Sequence, residues 1–179
     1  FWDTGLPKGV LNFLTGPGEV VGARMVEHPK TRFIAFTGSR AVGTEIFEKA
    51  AKVHPGQKWL KRTILEMGGK DAIVVDETSD LEDAAQSIVA SAFGFQGQKC
   101  SAGSRAIIVD EVYDTIQSRV VEIAKGLNIG APDKGPKVNV GPVVDTEAMQ
   151  KIMSYIEIGQ EEGNLLLGGK HHATPENGY

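Results

Sequence analysis

Ala72-Ile73-Val74-Val75-Asp76-Glu77-Thr78-Ser79-Asp80-Leu81-Glu82-Asp83-Ala84-Ala85-Gln86-Ser87-Ile88-Val89-Ala90-Ser91-Ala92 decides the fold. Four apolar residues in a row read as a buried strand. Ser79 and Glu82 have the spacing of a capping box, and Leu81, Ala84, Ala85, Ile88, Val89 and Ala92 recur at the helical period. A helix with that stripe must lay it on a sheet. The next apolar run, Arg105 to Val109, supplies a second strand, and strand, helix, strand in that order is the unit of a mostly parallel α/β fold.

Working outward, the pattern repeats. A helix is expected over residues 111–125, with Val112, Ile116, Val120 and Ile123 on one side. Another is expected over residues 146–162, with Met149, Ile152, Met153 and Ile156 at helical spacing and Gly163 as its stop. Upstream, Val10 to Leu14 and Phe33 to Phe36 read as strands, and residues 19–28 and 40–53 as the helices after them. The chain opens without a capping or strand signal and ends in Glu176-Asn177-Gly178-Tyr179, a turn heading into another strand. A parallel sheet cut along its length leaves unpaired edges and an uncovered apolar face, so further chain is expected on both sides.

The 179 residues are 41% apolar and 23% charged, the balance of a globular protein rather than of a disordered chain or a coiled coil. Net charge is −4 with no basic stripe, which argues against a nucleic-acid partner. No apolar run reaches the roughly 18 residues of a membrane span, and Phe1-Trp2-Asp3 does not read as a signal peptide. The expected compartment is the cytoplasm, or a matrix reached by a presequence. A single cysteine excludes an internal disulfide and any cysteine-based zinc cage, and no metal site is expected.

Glycine patterns near the first helices fall short of the standard nucleotide motifs. Gly16, Gly18 and Gly22 miss the dinucleotide fingerprint by one residue, and Gly38 and Gly43 have P-loop spacing with Thr44 where the lysine should stand. Two readings of Thr37-Gly38-Ser39 remain. It is either an anion-accepting helix start that a backbone-hugging ligand approaches over Gly38, or an ordinary turn with Ser39 as N-cap.

Cys100 lies in Phe93-Gly94-Phe95-Gln96-Gly97-Gln98-Lys99-Cys100-Ser101-Ala102, a loop rich in small and polar residues, with Lys99 able to favour a thiolate. A free thiol is only about 3% ionised at pH 7, so such help matters. A reactive and an inert cysteine both fit this pattern. None of His28, His54, His171 and His172 stands in a Cys/His motif, which weakens a cofactor-free thiol hydrolase. Glu66 closes Thr63-Ile64-Leu65 ahead of Met67-Gly68-Gly69-Lys70. It is either a partly buried strand-end carboxylate suited to general-base work or a solvated edge glutamate. Lys58-Trp59-Leu60-Lys61-Arg62 reads as a charged surface edge.

Taken in order, Phe36-Thr37-Gly38-Ser39 with Gly43, then Glu66-Met67-Gly68-Gly69-Lys70, then Gly97-Gln98-Lys99-Cys100 resemble the three central motifs of the aldehyde dehydrogenase superfamily. Glu66 and Cys100 also stand at the family's separation, 34 positions. The resemblance covers the whole chain. Around the motifs, Gly56 to Arg62 and Gly94 to Ala102 resemble the branch that oxidises L-glutamate γ-semialdehyde to glutamate in proline breakdown.

The resemblance implies an α/β architecture: the C-terminal half of a Rossmann-like NAD-binding domain over residues 1–68, then the N-terminal part of a catalytic domain over 69–179. It implies Cys100 as nucleophile and Glu66 as general base. It implies Thr37, Gly38 and Ser39 at the nicotinamide and pyrophosphate part of an NAD site, with Gly18 and Val42 towards adenosine. The backbone carbonyl of Met67, a leucine in most of the family, would meet the nicotinamide amide. Lys99 and Ser101 would line the aldehyde pocket. Family members are longer, so the expectation is a fragment of a homo-oligomeric enzyme that turns over poorly alone. Two alternatives are another semialdehyde dehydrogenase and an idle binding or structural module.

Overall fold

A computed structural model of the chain describes residues 2–172, and the turn expected at Glu176 to Tyr179 lies outside them. The chain divides into two units, Phe1–Gly68 and Gly69–Tyr179. Each is built on a two-stranded parallel sheet.

In the first unit Pro17 starts a π-turn, Gly18–Gly22, that runs into helix α1, Ala23–Glu27. Pro29 follows at once, and the residue before a proline is pushed out of helical geometry. Strand β1, Phe33–Gly38, leads to helix α2, Arg40–Ala51, and then to strand β2, Arg62–Met67. The strands pair in parallel from Phe33 opposite Arg62 to Gly38 opposite Met67. Val26 and Ala50 are buried among these elements.

One expectation fails here. Residues 10–14 form no strand, because an apolar run becomes one only when a neighbour accepts its backbone hydrogen bonds, and neither sheet pairs with it. The Lys58 to Arg62 stretch is the exposed edge expected, except at Lys61. Half-buried Lys61 donates to the Val26 carbonyl at 2.5 Å and so ties β2 to the last turn of α1. Desolvation lowers the Lys61 pKa, and the Arg32 guanidinium lies 5.4 Å from the centre of the Trp59 ring.

In the second unit strand β3, Asp71–Val75, helix α3, Leu81–Phe93, strand β4, Gly103–Ile108, and helix α4, Asp110–Lys125, follow in turn. β3 pairs in parallel with β4 after a register shift between Asp71 and Ala72. The core is the meeting of the expected stripes: Val75, Ala85, Ile88 and Ile116, with Leu81, Val112, Val120 and Ile123 packed around them. Helix α5, Thr146–Glu162, has the bounds its periodicity predicts and is capped by Asp145, which accepts from Ala148 N–H at 2.8 Å.

The cap of α3 differs from expectation. Asp80, not Ser79, accepts from the N–H groups of Glu82 and Asp83, both at 3.0 Å. Ser79 is drawn into a turn with Asp76, and Glu82 instead takes a two-pronged bond from Arg119 of α4 at 2.6 and 2.8 Å. A guanidinium fork outcompetes a backbone N–H for a carboxylate.

Each sheet leaves its second face open. Phe33 and Ile64 are about half exposed on the first, and Val74 and Ile107 are exposed on the second. Parallel strands are ordinarily covered on both faces.

Candidate functional site

Parallel pairing brings two of the singled-out motifs together. Thr37 stands opposite Glu66 and Gly38 opposite Met67, at the carboxyl ends of β1 and β2, where open α/β sheets hold their ligands. Strand alternation turns Met67 towards α2 and Glu66 to the opposite, exposed face. The partial burial of Glu66 is therefore not formed within the first unit.

Two glycines make this corner. A Cβ on buried Gly43 would stand 2.6 Å from Met67 Sδ, and one on Gly38 would stand 2.5 Å from the Phe36 ring. With glycine at both positions α2 lies this close to the end of β2 without displacing either side chain. Ser39 caps α2, its Oγ accepting from Val42 N–H at 3.3 Å, so the turn has its cap and keeps an exposed approach over Gly38.

Beside this corner lies a groove of about 640 Å³, lined by Gly18, Gly22, Val26, Phe36, Val42 and Ile46 among others. It is mostly apolar and brings Gly18 and Val42 together across the starts of two helices. Its lining suits a flat ring system better than a charged group. At its rim Lys49 pairs with Glu45 at 2.7 Å, which raises the Lys49 pKa.

In the second unit the loop between α3 and β4 carries Cys100. After Phe93 the chain makes a tight turn, Gly94–Gly97, in which Phe95 and Gln96 are left-handed. A second turn follows, closed by Ala102 N–H donating to Lys99 O at 3.1 Å. It holds Cys100 and Ser101 at its crown, exposed, with Lys99 beside them. Ser91 Oγ accepts from Gly103 N–H at 3.0 Å and so anchors the far end of the loop to α3. Arg105 donates twice to the Lys70 carbonyl, at 3.0 and 2.6 Å.

The histidines do other work. His28 accepts from Lys30 N–H at 3.2 Å, and His171 and His172 border a depression beside α5. Among the described residues no cluster of three metal-ligating side chains occurs.

The structure groups the candidate residues as Thr37, Gly38, Glu66 and Met67 at the strand ends, Gly18 and Val42 in the groove, and Lys99, Cys100 and Ser101 on the loop. The sequence reading did not single out Ser91, which anchors the end of that loop, or Arg105, which ties β4 to the Lys70 carbonyl. Their pattern carries no signal, since each acts through a contact made only in the fold.

The aldehyde dehydrogenase family model matches residues 1–179. The chain belongs to the aldehyde dehydrogenase family. It is 65% identical over 168 residues to a 1-pyrroline-5-carboxylate dehydrogenase of Geobacillus kaustophilus, covering 94% of this chain and 32% of that protein. A 1-pyrroline-5-carboxylate dehydrogenase from Thermus with bound NAD has a TM-score of 0.91 at 50% identity, over 98% of this chain and 34% of that one. Proline utilization A from Bdellovibrio bacteriovorus has a TM-score of 0.89 at 49% identity, over 94% of this chain and 18% of that one. The chain thus spans about a third of the length of these two 1-pyrroline-5-carboxylate dehydrogenases.

Proposed function

We propose that this chain carries the cofactor-facing strand ends and the nucleophile loop of an NAD-dependent aldehyde dehydrogenase that converts L-glutamate γ-semialdehyde to L-glutamate. What carries the reading is 65% identity across 94% of the chain to a 1-pyrroline-5-carboxylate dehydrogenase. The strand-end corner, where a Cβ on Gly38 or Gly43 would collide, supports a ligand that hugs the backbone.

In this reading residues 1–68 belong to the NAD-binding domain and 69–179 to the catalytic domain. Gly18 and Val42 border the adenosine, and Thr37, Gly38 and Ser39 face the pyrophosphate and nicotinamide, whose amide meets the Met67 carbonyl. When bound, NAD supplies the hydride acceptor. Ser101 helps hold the substrate's α-carboxylate, Lys99 lines the same pocket, and the Cys100 thiolate attacks the aldehyde carbon. The resulting oxyanion takes a hydrogen bond from the Cys100 backbone N–H. After hydride loss the acyl group rests on Cys100 as a thioester. Glu66 takes a proton from water, the hydroxide attacks the acyl carbon, and glutamate leaves as the thiol is restored. The enzyme is assigned to the cytoplasm as a homo-oligomer; among the described residues no helix is long and apolar enough to cross a membrane.

The test is NADH formation by the full-length polypeptide containing this segment, over a panel of semialdehydes. Highest kcat/KM for glutamate semialdehyde supports the reading. Preference for a semialdehyde without an α-carboxylate overturns the substrate, and no oxidation of any aldehyde overturns the activity.

A further inference from the structure

Phe95 at φ 52° and Gln96 at φ 56° are the only non-glycine residues with positive φ among the described residues, and Gly97 follows at φ 67°. Left-handed geometry forces Cβ against the following carbonyl, so two such residues in succession persist only where the surroundings hold them. They end four residues before Cys100.

Gly97 explains one side of the turn. A Cβ there would lie 2.9 Å from the Ala92 carbonyl, so the chain can fold back on the end of α3 only with glycine. The other side is held by Gln96. With its oxygen turned towards Gly141, the half-buried Gln96 amide accepts from Gly141 N–H at 2.7 Å and donates to the Phe95 carbonyl at 3.1 Å; in the opposite orientation that oxygen instead accepts from Gln98 Nε2 at 3.1 Å. Gln98 N–H closes the turn on the Phe95 carbonyl at 3.0 Å, and the glutamine side chain adds a tie from it to a distant segment.

That mooring is braced. Gly130 N–H donates to Val140 O at 3.0 Å, Val140 N–H donates to Asn128 O at 3.1 Å, and Asn128 follows closely on α4. Gly141 permits the approach, since a Cβ there would crowd both Gln96 and Pro132 at 3.3 Å.

We propose that Gln96 is a positioning residue: by accepting from Gly141 N–H it holds the left-handed turn that presents Cys100. This rests on Cys100 being the nucleophile. Without the acceptor the turn relaxes to ordinary backbone geometry, and the loop carries the sulfur out of line with the aldehyde carbon.

The test compares Gln96→Met, which keeps length but loses the acceptor, with Gln96→Glu, which keeps an acceptor oxygen. In the full-length enzyme Gln96→Met should lower kcat by about tenfold or more with little change in KM, since misplacing a reacting atom penalises the chemical step. Gln96→Glu should recover most of it. In the present chain, whose sole cysteine is Cys100, iodoacetamide should alkylate Gln96→Met at a rate altered about threefold or more, and Gln96→Glu at the normal rate. Should Gln96→Met not fold, Gly141→Ala perturbs the same contact from the other side and should move alkylation too. Normal kcat and alkylation in Gln96→Met, equal impairment in both Gln96 variants, or a lowered melting temperature with kcat intact would each overturn the proposal. Oxidation surviving in Cys100→Ser would sink the functional reading instead, while alkylation of Cys100 in the Gln96 variants still reports on the mooring.

Discussion

Gly69 lies against the carbonyl of Cys100: a Cβ built on it would stand 3.2 Å from that oxygen and 3.1 Å from Asp71 Oδ1. The second glycine of one motif is thus a wall of the loop that carries the cysteine of another. Gly69 follows Glu66 by three residues, so the motif pairs the proposed general base with a residue that makes room.

Replacing Gly69 with alanine should therefore disturb Cys100 more than it disturbs the fold. The carbonyl can yield only if the loop moves, and overpacking of this kind costs on the order of 1 kcal/mol. The rate of Cys100 alkylation should change while the urea midpoint falls only slightly. An unchanged alkylation rate would show that the loop does not lean on Gly69.

Gly43 and Met67 should be energetically coupled. Gly43→Val adds bulk at a site where even a Cβ would stand 2.6 Å from Met67 Sδ, and should cost about 1–3 kcal/mol. Met67→Ala should relieve much of that cost, so a double-mutant cycle by urea unfolding is expected to be strongly non-additive. Strict additivity would contradict the close contact.

The Glu82–Arg119 clamp predicts a pH dependence. Bonds from Arg119 and Gln86 hold the Glu82 carboxyl at a pKa of about 2, below its ordinary 4.5. A depressed folded-state value means stability that is present above pH 4.5 and is lost as pH falls towards 2. Glu82→Gln should be the less stable protein near pH 6, and the difference in urea midpoint should vanish as pH approaches 2. A gap that stays constant with pH would mean the clamp is not ionic.

Cys100→Ser and Glu66→Gln should fail differently in the full-length enzyme. The first removes the proposed nucleophile and should give no NADH at all. The second should keep a single burst of NADH and lose steady turnover by about 10² to 10⁴, the usual worth of a general base. Absence of a burst in Glu66→Gln would place that carboxylate before, rather than after, hydride loss.

Much of the fold was legible because local chemistry and tertiary packing agree. Helix α5 begins at Thr146 and ends at Glu162 as its periodicity requires, and the stripes of α3 and α4 meet in one core around Ile116. The reading failed where a choice depends on distant partners. Val10 to Leu14 has a strand's composition but no paired neighbour among the described residues. Ser79 has a capping residue's position, yet Asp80 takes that role while Arg119, 37 residues from Glu82, claims the carboxylate.

Order, spacing and residue type along the chain were enough to read an α/β protein, a cysteine on a loop of small and polar residues and a resemblance to the aldehyde dehydrogenase superfamily, because periodicity and motif are properties of neighbours. The fold alone decided that Thr37 pairs with Glu66, that Gly18 and Val42 share a groove, and that Gln96 moors the left-handed turn to Gly141. Those relations join residues far apart in the chain, and backbone hydrogen bonding and close packing create them only once the elements have docked.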